Sequence, residues 1–541
     1  MWRVLAVLVC IGLTAAARPA APAAQSGGPA SLVVILVVDQ MRADYLTTFA
    51  SRWQRGFRTL LERGTQFTNA EYPYWSTITC AGHTSIATGT LPRTHGMVLN
   101  RWWDRAERRI VTCNDDPGAP AVSYQRPAAS NSSATRMLVT TLGDELRSQK
   151  PGARVVSLSL KPRSAIGLAG HGGDAVVWFD DPSRSFVTST AFARTPVPEV
   201  ARFMAEQPFE SQQNRVWALA APAASYHYGD VQPGEQPNAG WTAVFPHALA
   251  GRAPADAAFA DHWQKSPYSD VFLGRLGSWL VDQWQLGQRE TTDFLGISFS
   301  ALDMVGHDFG PRSREVEDML IGLDATIGTL VDHLDRAVGR HRYVLALTSD
   351  HGVADIPEQA AAGRLTNEDL GAVVEQALVE HWGAPVAGRY VAASLAGQIY
   401  FADGVFDRLA ASSAAMEAVE RALLDVPGLV RVVRRDQLDR GDEVTQAIAR
   451  GYRADRSGDL FLIPRRDWII AERADGDATT HGTMYEYDRR VPLMLLGTGV
   501  PSGRNTGTAT PHDVATTLAR AAGIQWSNRD GRSLLGNVGT R

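Results

Sequence analysis

Four acidic or histidine clusters stand where apolar stretches of the chain end or turn. They are Asp39 after Leu32–Val38, Asp303 with His307, Asp350 with His351 after Tyr343–Leu347, and His481 within Thr479-Thr480-His481-Gly482. A carboxylate and an imidazole four residues apart, as Asp303 and His307 are, can face one side of a helical turn. With His481 they make an Asp/His/His trio, the donor set of a three-ligand zinc site with a position left open. Asp39, Asp350 and His351 make a second set of three. Two metals on neighbouring loops suit in-line displacement at phosphorus, one at the attacking oxygen and one at the leaving oxygen. Taken singly, each cluster reads as a helix cap or a turn. Only as two complete sets do they point to chemistry.

A nucleophile belongs beside the second set, and the hydroxyl-rich segment Thr77-Ile78-Thr79-Cys80-Ala81-Gly82-His83-Thr84-Ser85 supplies candidates. Cys80–Ala87 reads as a helix, which predicts Thr79 at its N-cap with backbone N–H groups aimed at an anion. His83, one turn on, reads as structural, and His171 in Gly170-His171-Gly172-Gly173 reads as a loop residue.

The elements that must carry these side chains are legible as buried strands. Leu32–Val38, Phe294–Phe299, Tyr343–Leu347 and Val491–Leu496 are continuous apolar runs, the pattern of strands covered on both faces. Amphipathic stretches lie between and after them, at Phe57–Arg63, Val316–Leu334 and Pro511–Ala522, the last with Pro511 in its first turn and Gly523 as its stop. Strands alternating with helices predict an α/β sandwich with a mostly parallel central sheet. Its carboxyl edge is where sites form. Residues 110–290 and 356–480 show no such rhythm. They read as insertions that build a lobe over the active site, with Trp178, Trp217, Tyr226, Tyr228 and Trp241 filling its core.

Of 541 residues, 44% are hydrophobic and 21% charged, and the formal net charge is −5. That balance argues against a dedicated nucleic-acid partner, which calls for a basic excess. Arg3 followed by the fourteen apolar residues Val4–Ala17 reads as a signal peptide over residues 1–24. Residues 25–541 are then a single catalytic domain, periplasmic or secreted, with no membrane attachment once the leader is removed. Cys80 and Cys113 are left in a compartment that permits disulfides, either as buried thiols or as a bridge.

Several motifs, in this order along the chain, resemble the alkaline phosphatase superfamily. They are Leu36-Val37-Val38-Asp39, Thr79-Cys80-Ala81-Gly82-His83, Asp303-x-x-Gly306-His307, Thr348-Ser349-Asp350-His351-Gly352 and His481-Gly482. The resemblance implies an alkaline-phosphatase-like fold and two zinc ions. One is held by Asp39, Asp350 and His351 beside Thr79, the other by Asp303, His307 and His481. Asn100 and Lys161-Pro162-Arg163 resemble the phosphate-contacting trio of the phosphate-irrepressible bacterial alkaline phosphatases, a branch in which Thr replaces the commoner Ser nucleophile. The resemblance thus implies hydrolysis of small-molecule phosphate monoesters through a phospho-threonine. Cationic Lys161 and Arg163 suit the dianion of a monoester. A phosphodiesterase of the same superfamily is the alternative, and a non-catalytic metal- or phosphate-binding protein a more distant one. Cys80 is not followed by the Pro/Ala-x-Arg pattern that sulfatases need.

Overall fold

The structure, a computed structural model, describes residues 28–252, 256–473, 476–527 and 529–536. The expected leader lies outside the described residues. The elements that position the site are β1 (Leu32–Val38), α1 (Thr79–Thr88), β2 (Val155–Ser159), α2 (Pro162–Ala169), β3 (Asp293–Phe299), α3 (Ala301–Phe309) and β4 (Tyr343–Thr348).

All seven residues of β1 are buried, and alternate ones feed different cores. Leu32, Val34, Leu36 and Val38 pack with Leu273 and Leu276 of helix Pro267–Trp284 and with Leu320 and Ile327 of helix Arg314–Leu334. Val33, Ile35 and Val37 pack with Ile86 and Ala87 of α1 and with Val514 and Leu518 of helix Asp513–Ala521. A strand apolar on both faces therefore needs helices on both, which is the α/β sandwich.

The central sheet has eleven strands, in the order Gly503–Ala509, Thr65–Ala70, Leu493–Gly497, β4, β1, β3, β2, Ala175–Asp180, Ser185–Ser189, Asp115–Ser123 and Asn131–Ser132. The five strands from β4 to Ala175–Asp180 are parallel. Antiparallel pairing begins on either side, at Leu493–Gly497 and at Ser185–Ser189, so the sheet as a whole is mixed around a parallel centre.

Part of the block read as an insertion belongs to this sheet. Within 110–290, β2, α2 and Ala175–Asp180 form a βαβ unit, and helix Pro267–Trp284 covers the sheet. Ser157 and Ser159 interrupt the apolar run of β2 and hide it in the sequence. Both are buried and satisfied, Ser157 Oγ donating to Ala165 O at 2.7 Å and Ser159 Oγ lying 3.1 Å from Ser300 Oγ. Trp178 accordingly sits in a sheet strand rather than in a lobe. Pro511 precedes its helix, which starts at Asp513. The second block folds around its own four-stranded antiparallel sheet, in the order Val391–Leu395, Gln398–Phe401, Leu460–Pro464 and Leu429–Arg434. Helices Asn367–Trp382 and Ser413–Leu424 cover it. Cys80 and Cys113 are joined as a disulfide.

Candidate active site

Strand register brings the clusters to one edge. Val38 of β1 pairs with Phe299 of β3, Val37 with Thr348 of β4, and Ser298 of β3 with Ser159 of β2. Asp39, Asp303, Asp350 and Lys161 therefore leave the sheet side by side, at its carboxyl edge. Two close approaches tighten the cluster. A side chain at Gly82 of α1 would collide with Asp350, and one at Gly306 of α3 would collide with the Gln40 amide.

Asp303, His307 and His481 place ligand atoms within 4.8 Å of one another, with His307 Nε2 3.4 Å and His481 Nε2 3.9 Å from Asp303 Oδ1. His351 Nε2 lies 3.5 Å from Asp39 Oδ1 and 3.2 Å from Asp350 Oδ2. Those two oxygens are buried and accept no hydrogen bond. The histidine tautomers follow from their other nitrogens. The Nδ1 atoms of His307, His351 and His481 face the carbonyls of Thr479, Gly352 and Thr77 at 2.8, 3.0 and 2.8 Å. A carbonyl only accepts, so each Nδ1 carries a proton and each Nε2 is the nitrogen turned to the site, the arrangement second-shell partners impose on metal-binding imidazoles. Burial opposes their charge, yet Asp303 raises His307 and Asp350 raises His351 to about 9, so a bound metal would take the place of the Nε2 proton.

The electrostatics call for cations. Burial, with Asp303 and Asp350 close by, pushes Asp39 up to about 7. Burial also opposes ionisation of Asp303, yet Lys161 and His307 hold it well below the usual carboxylate range. His351 and His83 do the same for Asp350. Three carboxylates in one buried pocket cannot all ionise on the positive charge the chain supplies there. Orphaned carboxylate oxygens beside converging Nε2 atoms fit divalent metals of the nitrogen- and oxygen-loving kind.

Thr79 is the first residue of α1, after Ile78 as N-cap, not the cap itself. Its hydroxyl makes no capping bond, and Oγ1 lies 3.4 Å from His351 Nε2. The placement at N1 keeps it at the positive end of the helix, with His351 Nε2 as the hydroxyl's hydrogen-bond partner. Asn100 and Arg163 line the same cavity of about 370 Å³ as Thr79, Asp303, His307 and His481. Asn100 Oδ1 accepts from Cys80 N at 2.9 Å, which leaves its Nδ2–H groups for the cavity. Arg163, one residue into α2 beyond Pro162, makes no hydrogen bond or ion pair among the described residues, and its Nε is buried.

Lys161 is placed otherwise than the resemblance implies. Its Nζ donates to Asp39 Oδ2 at 2.6 Å and to Asp303 Oδ2, and it is not among the residues that line the cavity. Buried carboxylates attract the nearest cation.

Sequence reasoning passed over several residues of the site. Gln40, at φ 67°, donates from its backbone N to Asp350 Oδ1 at 3.2 Å and from Nε2 to Asp303 Oδ1 at 3.0 Å, bridging the two ligand sets. The signal available was its place directly after Asp39. His83, which the sequence marks as structural, ties Thr79 O (3.0 Å), Asp350 Oδ2 (3.2 Å) and Ser298 Oγ (2.7 Å) together. Asn367, Ala396, Ile470 and Glu472, from the second block, wall the cavity, and nothing in their spacing marks them. His171 is tied to Asp144 and to Met137 O in its loop, away from the cavity.

Comparison with known proteins agrees with this geometry. The family model for type I phosphodiesterase / nucleotide pyrophosphatase matches residues 33–485. Alkaline phosphatase PhoV of Synechococcus elongatus is 30% identical over 96% of this chain and 96% of its own. Alkaline phosphatase PafA of Elizabethkingia meningoseptica is 28% identical over 92% of each. The crystal structure of PafA superposes with a TM-score of 0.85 at 28% identity, covering 95% of this chain and 100% of that one. A second PafA crystal structure is of a variant with a threonine changed to serine and an asparagine, a lysine and an arginine changed to alanine, and it superposes with a TM-score of 0.84. The chain belongs to the type I phosphodiesterase / nucleotide pyrophosphatase family of the alkaline phosphatase superfamily. Within it, PhoV and PafA, which match nearly its whole length, are of the phosphate-irrepressible alkaline phosphatase branch.

Proposed function

We infer that this protein is an alkaline phosphatase, a zinc-dependent hydrolase of phosphate monoesters working through a phospho-threonine. The observation that carries the reading is Arg163. It is a guanidinium without a partner among the described residues, on a cavity shared with the Thr79 hydroxyl, which is bonded to His351 Nε2, and a turned-out asparagine amide. An unpaired guanidinium on a cavity that Asp303 also lines suits an anion with several oxygens. The threonine, asparagine, lysine and arginine of the PafA variant are the residue types of Thr79, Asn100, Lys161 and Arg163.

One zinc ion would be held by Asp303, His307 and His481 and one by Asp39, Asp350 and His351. What they supply when bound is a lowered pKa for the Thr79 hydroxyl and a counter-charge for the departing oxygen. Thr79 Oγ1 attacks phosphorus and loses its proton, the ester P–O bond breaks, and the alcohol leaves. Asn100 Nδ2 and the Arg163 fork hold nonbridging oxygens as negative charge shifts across them. Lys161 favours the ionised forms of Asp39 and Asp303, its two partners, and adds to the positive wall. Water then attacks the phospho-threonine, the Oγ1–P bond breaks, and phosphate and free Thr79 are restored.

Small phosphate esters fit the cavity. No helix among the described residues is long and apolar enough to cross a membrane. The leader and the Cys80–Cys113 disulfide support export to an oxidising compartment. The name of the matching family favours a second reading, diester hydrolysis. The test is kcat/KM of the zinc-loaded enzyme on a monoester and a diester of one alcohol. The monoester is expected to react faster. A faster diester overturns the assignment.

A further inference from the structure

The Cys80–Cys113 cystine lies next to Thr79. Cys80 follows Thr79 directly in α1. Cys113 closes a surface hairpin whose strands, Arg101–Asp104 and Arg109–Thr112, pair from Arg101↔Thr112 to Asp104↔Arg109. Asn100 stands at the base of that hairpin, opposite Cys113. The backbone amides of both half-cystines meet on this one residue. Cys113 N donates to Asn100 O at 2.9 Å, and Cys80 N donates to Asn100 Oδ1 at 2.9 Å. The first bond fixes the Asn100 backbone, and the second fixes which way its amide is turned. The disulfide joins the two donors with a Cα–Cα distance of 6.7 Å.

The hairpin needs such a tether. Beyond Trp102 and Val111, which are buried, its strands are half-buried or exposed, and Ile110 is 44% exposed. The hairpin is also held to the second block, where Arg101 pairs with Glu472, Arg105 with Asp459 and Arg108 with Asp403. Arg101–Glu472 and Arg108–Asp403 are exposed at both ends, and such pairs hold geometry weakly. A covalent link to α1 does not stretch.

We propose that the Cys80–Cys113 disulfide is a positioning element for catalysis. It holds the Asn100 amide in fixed register with Thr79, so that Nδ2 meets a phosphoryl oxygen at the moment Oγ1 attacks. This rests on the reading of Asn100 as a phosphate donor given above. The cystine touches no reacting atom and acts only through Asn100. A displacement on the order of 1 Å is enough to cost a hydrogen bond to a transition state.

The experiment is a double-mutant cycle on the zinc-loaded enzyme, reading kcat/KM for a phosphate monoester. The four proteins are the wild type, Asn100→Ala, Cys80→Ala/Cys113→Val and the triple variant, with metal content and Tm recorded for each. Cystine removal is expected to lower kcat/KM about fivefold or more in the wild-type background and less than about twofold in the Asn100→Ala background. The same fold-loss in both backgrounds, or no loss in either, overturns the positioning role and leaves the phosphatase reading standing. An Asn100→Ala enzyme as fast as wild type overturns the Asn100 assignment and this proposal with it. Should the cystine-free variants not fold, native enzyme and folded Asn100→Ala are reduced with a water-soluble phosphine. The phosphine becomes its oxide with oxygen from water, the cystine becomes two thiols, and the same pair of fold-losses decides.

Discussion

The molecule buries two clusters of carboxylates and imidazoles, and their contrast shows what makes one of them a site. At the sheet edge, Asp303 and Asp350 are held ionised, and three histidines turn their Nε2 atoms toward the site. The second cluster lies at the start of helix Arg314–Leu334, under the segment around 216–248. There His247 Nε2 lies 2.9 Å from Glu315 Oε1, and Glu235 and Asp230 stand nearby. Burial pushes both Glu235 and Glu315 up to about 8, and it lowers His247 to about 4. His247 is stacked on Trp241, with centroids 4.6 Å apart. Burial is similar in the two places. What differs is charge and convergence. The first cluster has Lys161 and ligand atoms within 4.8 Å of one another, whereas no trio of the second is so gathered among the described residues. The second settles its charge by holding protons, the first by attracting cations.

Removal of metal is the largest test of that contrast. Exhaustive chelation should lower kcat by about 10⁴-fold or more, with recovery on adding zinc. Asp303→Ala and Asp350→Ala should each cost roughly one metal per chain by elemental analysis. Retained activity and unchanged metal content would erase the difference between the clusters. Next comes Thr79→Ala, for which kcat/KM should fall by roughly 10³–10⁵ while metal content stays at the wild-type value. A loss of metal in parallel would make Thr79 a structural part of the cluster.

Arg163→Ala sharpens the substrate side. Losing one charge-assisted hydrogen bond should cost monoester kcat/KM roughly 10–150-fold and diester kcat/KM less, because a diester offers one fewer charged oxygen. Equal losses for the two substrates would mean that Arg163 does not read the dianion.

The smallest effect belongs to the second cluster. The folded pKa of Glu315, about 8, is raised above the ordinary value of about 4.3. Its contribution to stability is therefore fully present below about pH 4 and is lost as pH rises toward 8, since the unfolded chain releases the proton first. Glu315→Gln removes that dependence. Between pH 5 and pH 8, denaturant unfolding should shift in favour of the variant by roughly 3–4 kcal/mol relative to wild type. A difference that stays flat with pH would show that Glu315 is ionised in the folded protein.

The sheet-edge cluster was legible because parallel strands end in register and each strand's apolar run stops at its ligand, as Leu32–Val38 stops at Asp39. His481 was legible by motif, although no strand precedes it directly. The second cluster was not, because Glu235, His247 and Glu315 come from unrelated stretches and meet only when the 216–248 segment folds over its helix. β2 was missed because buried serines look polar until their partners are known. Thr79 was placed one position early, because a threonine before a helix is ordinarily its cap, and here Ile78 fills that position. Lys161 shows the limit of residue type: a motif names the cation, and the surrounding charge decides where it points.

The most direct measurement is the stereochemical course at phosphorus. A monoester made chiral with three oxygen isotopes is transferred by the zinc-loaded enzyme to an acceptor alcohol, and the configuration of the product is read. Attack by Thr79 followed by attack on the phospho-threonine makes two in-line inversions, so the account predicts net retention. Net inversion would mean a single direct displacement, and it would contradict the role of Thr79 as nucleophile.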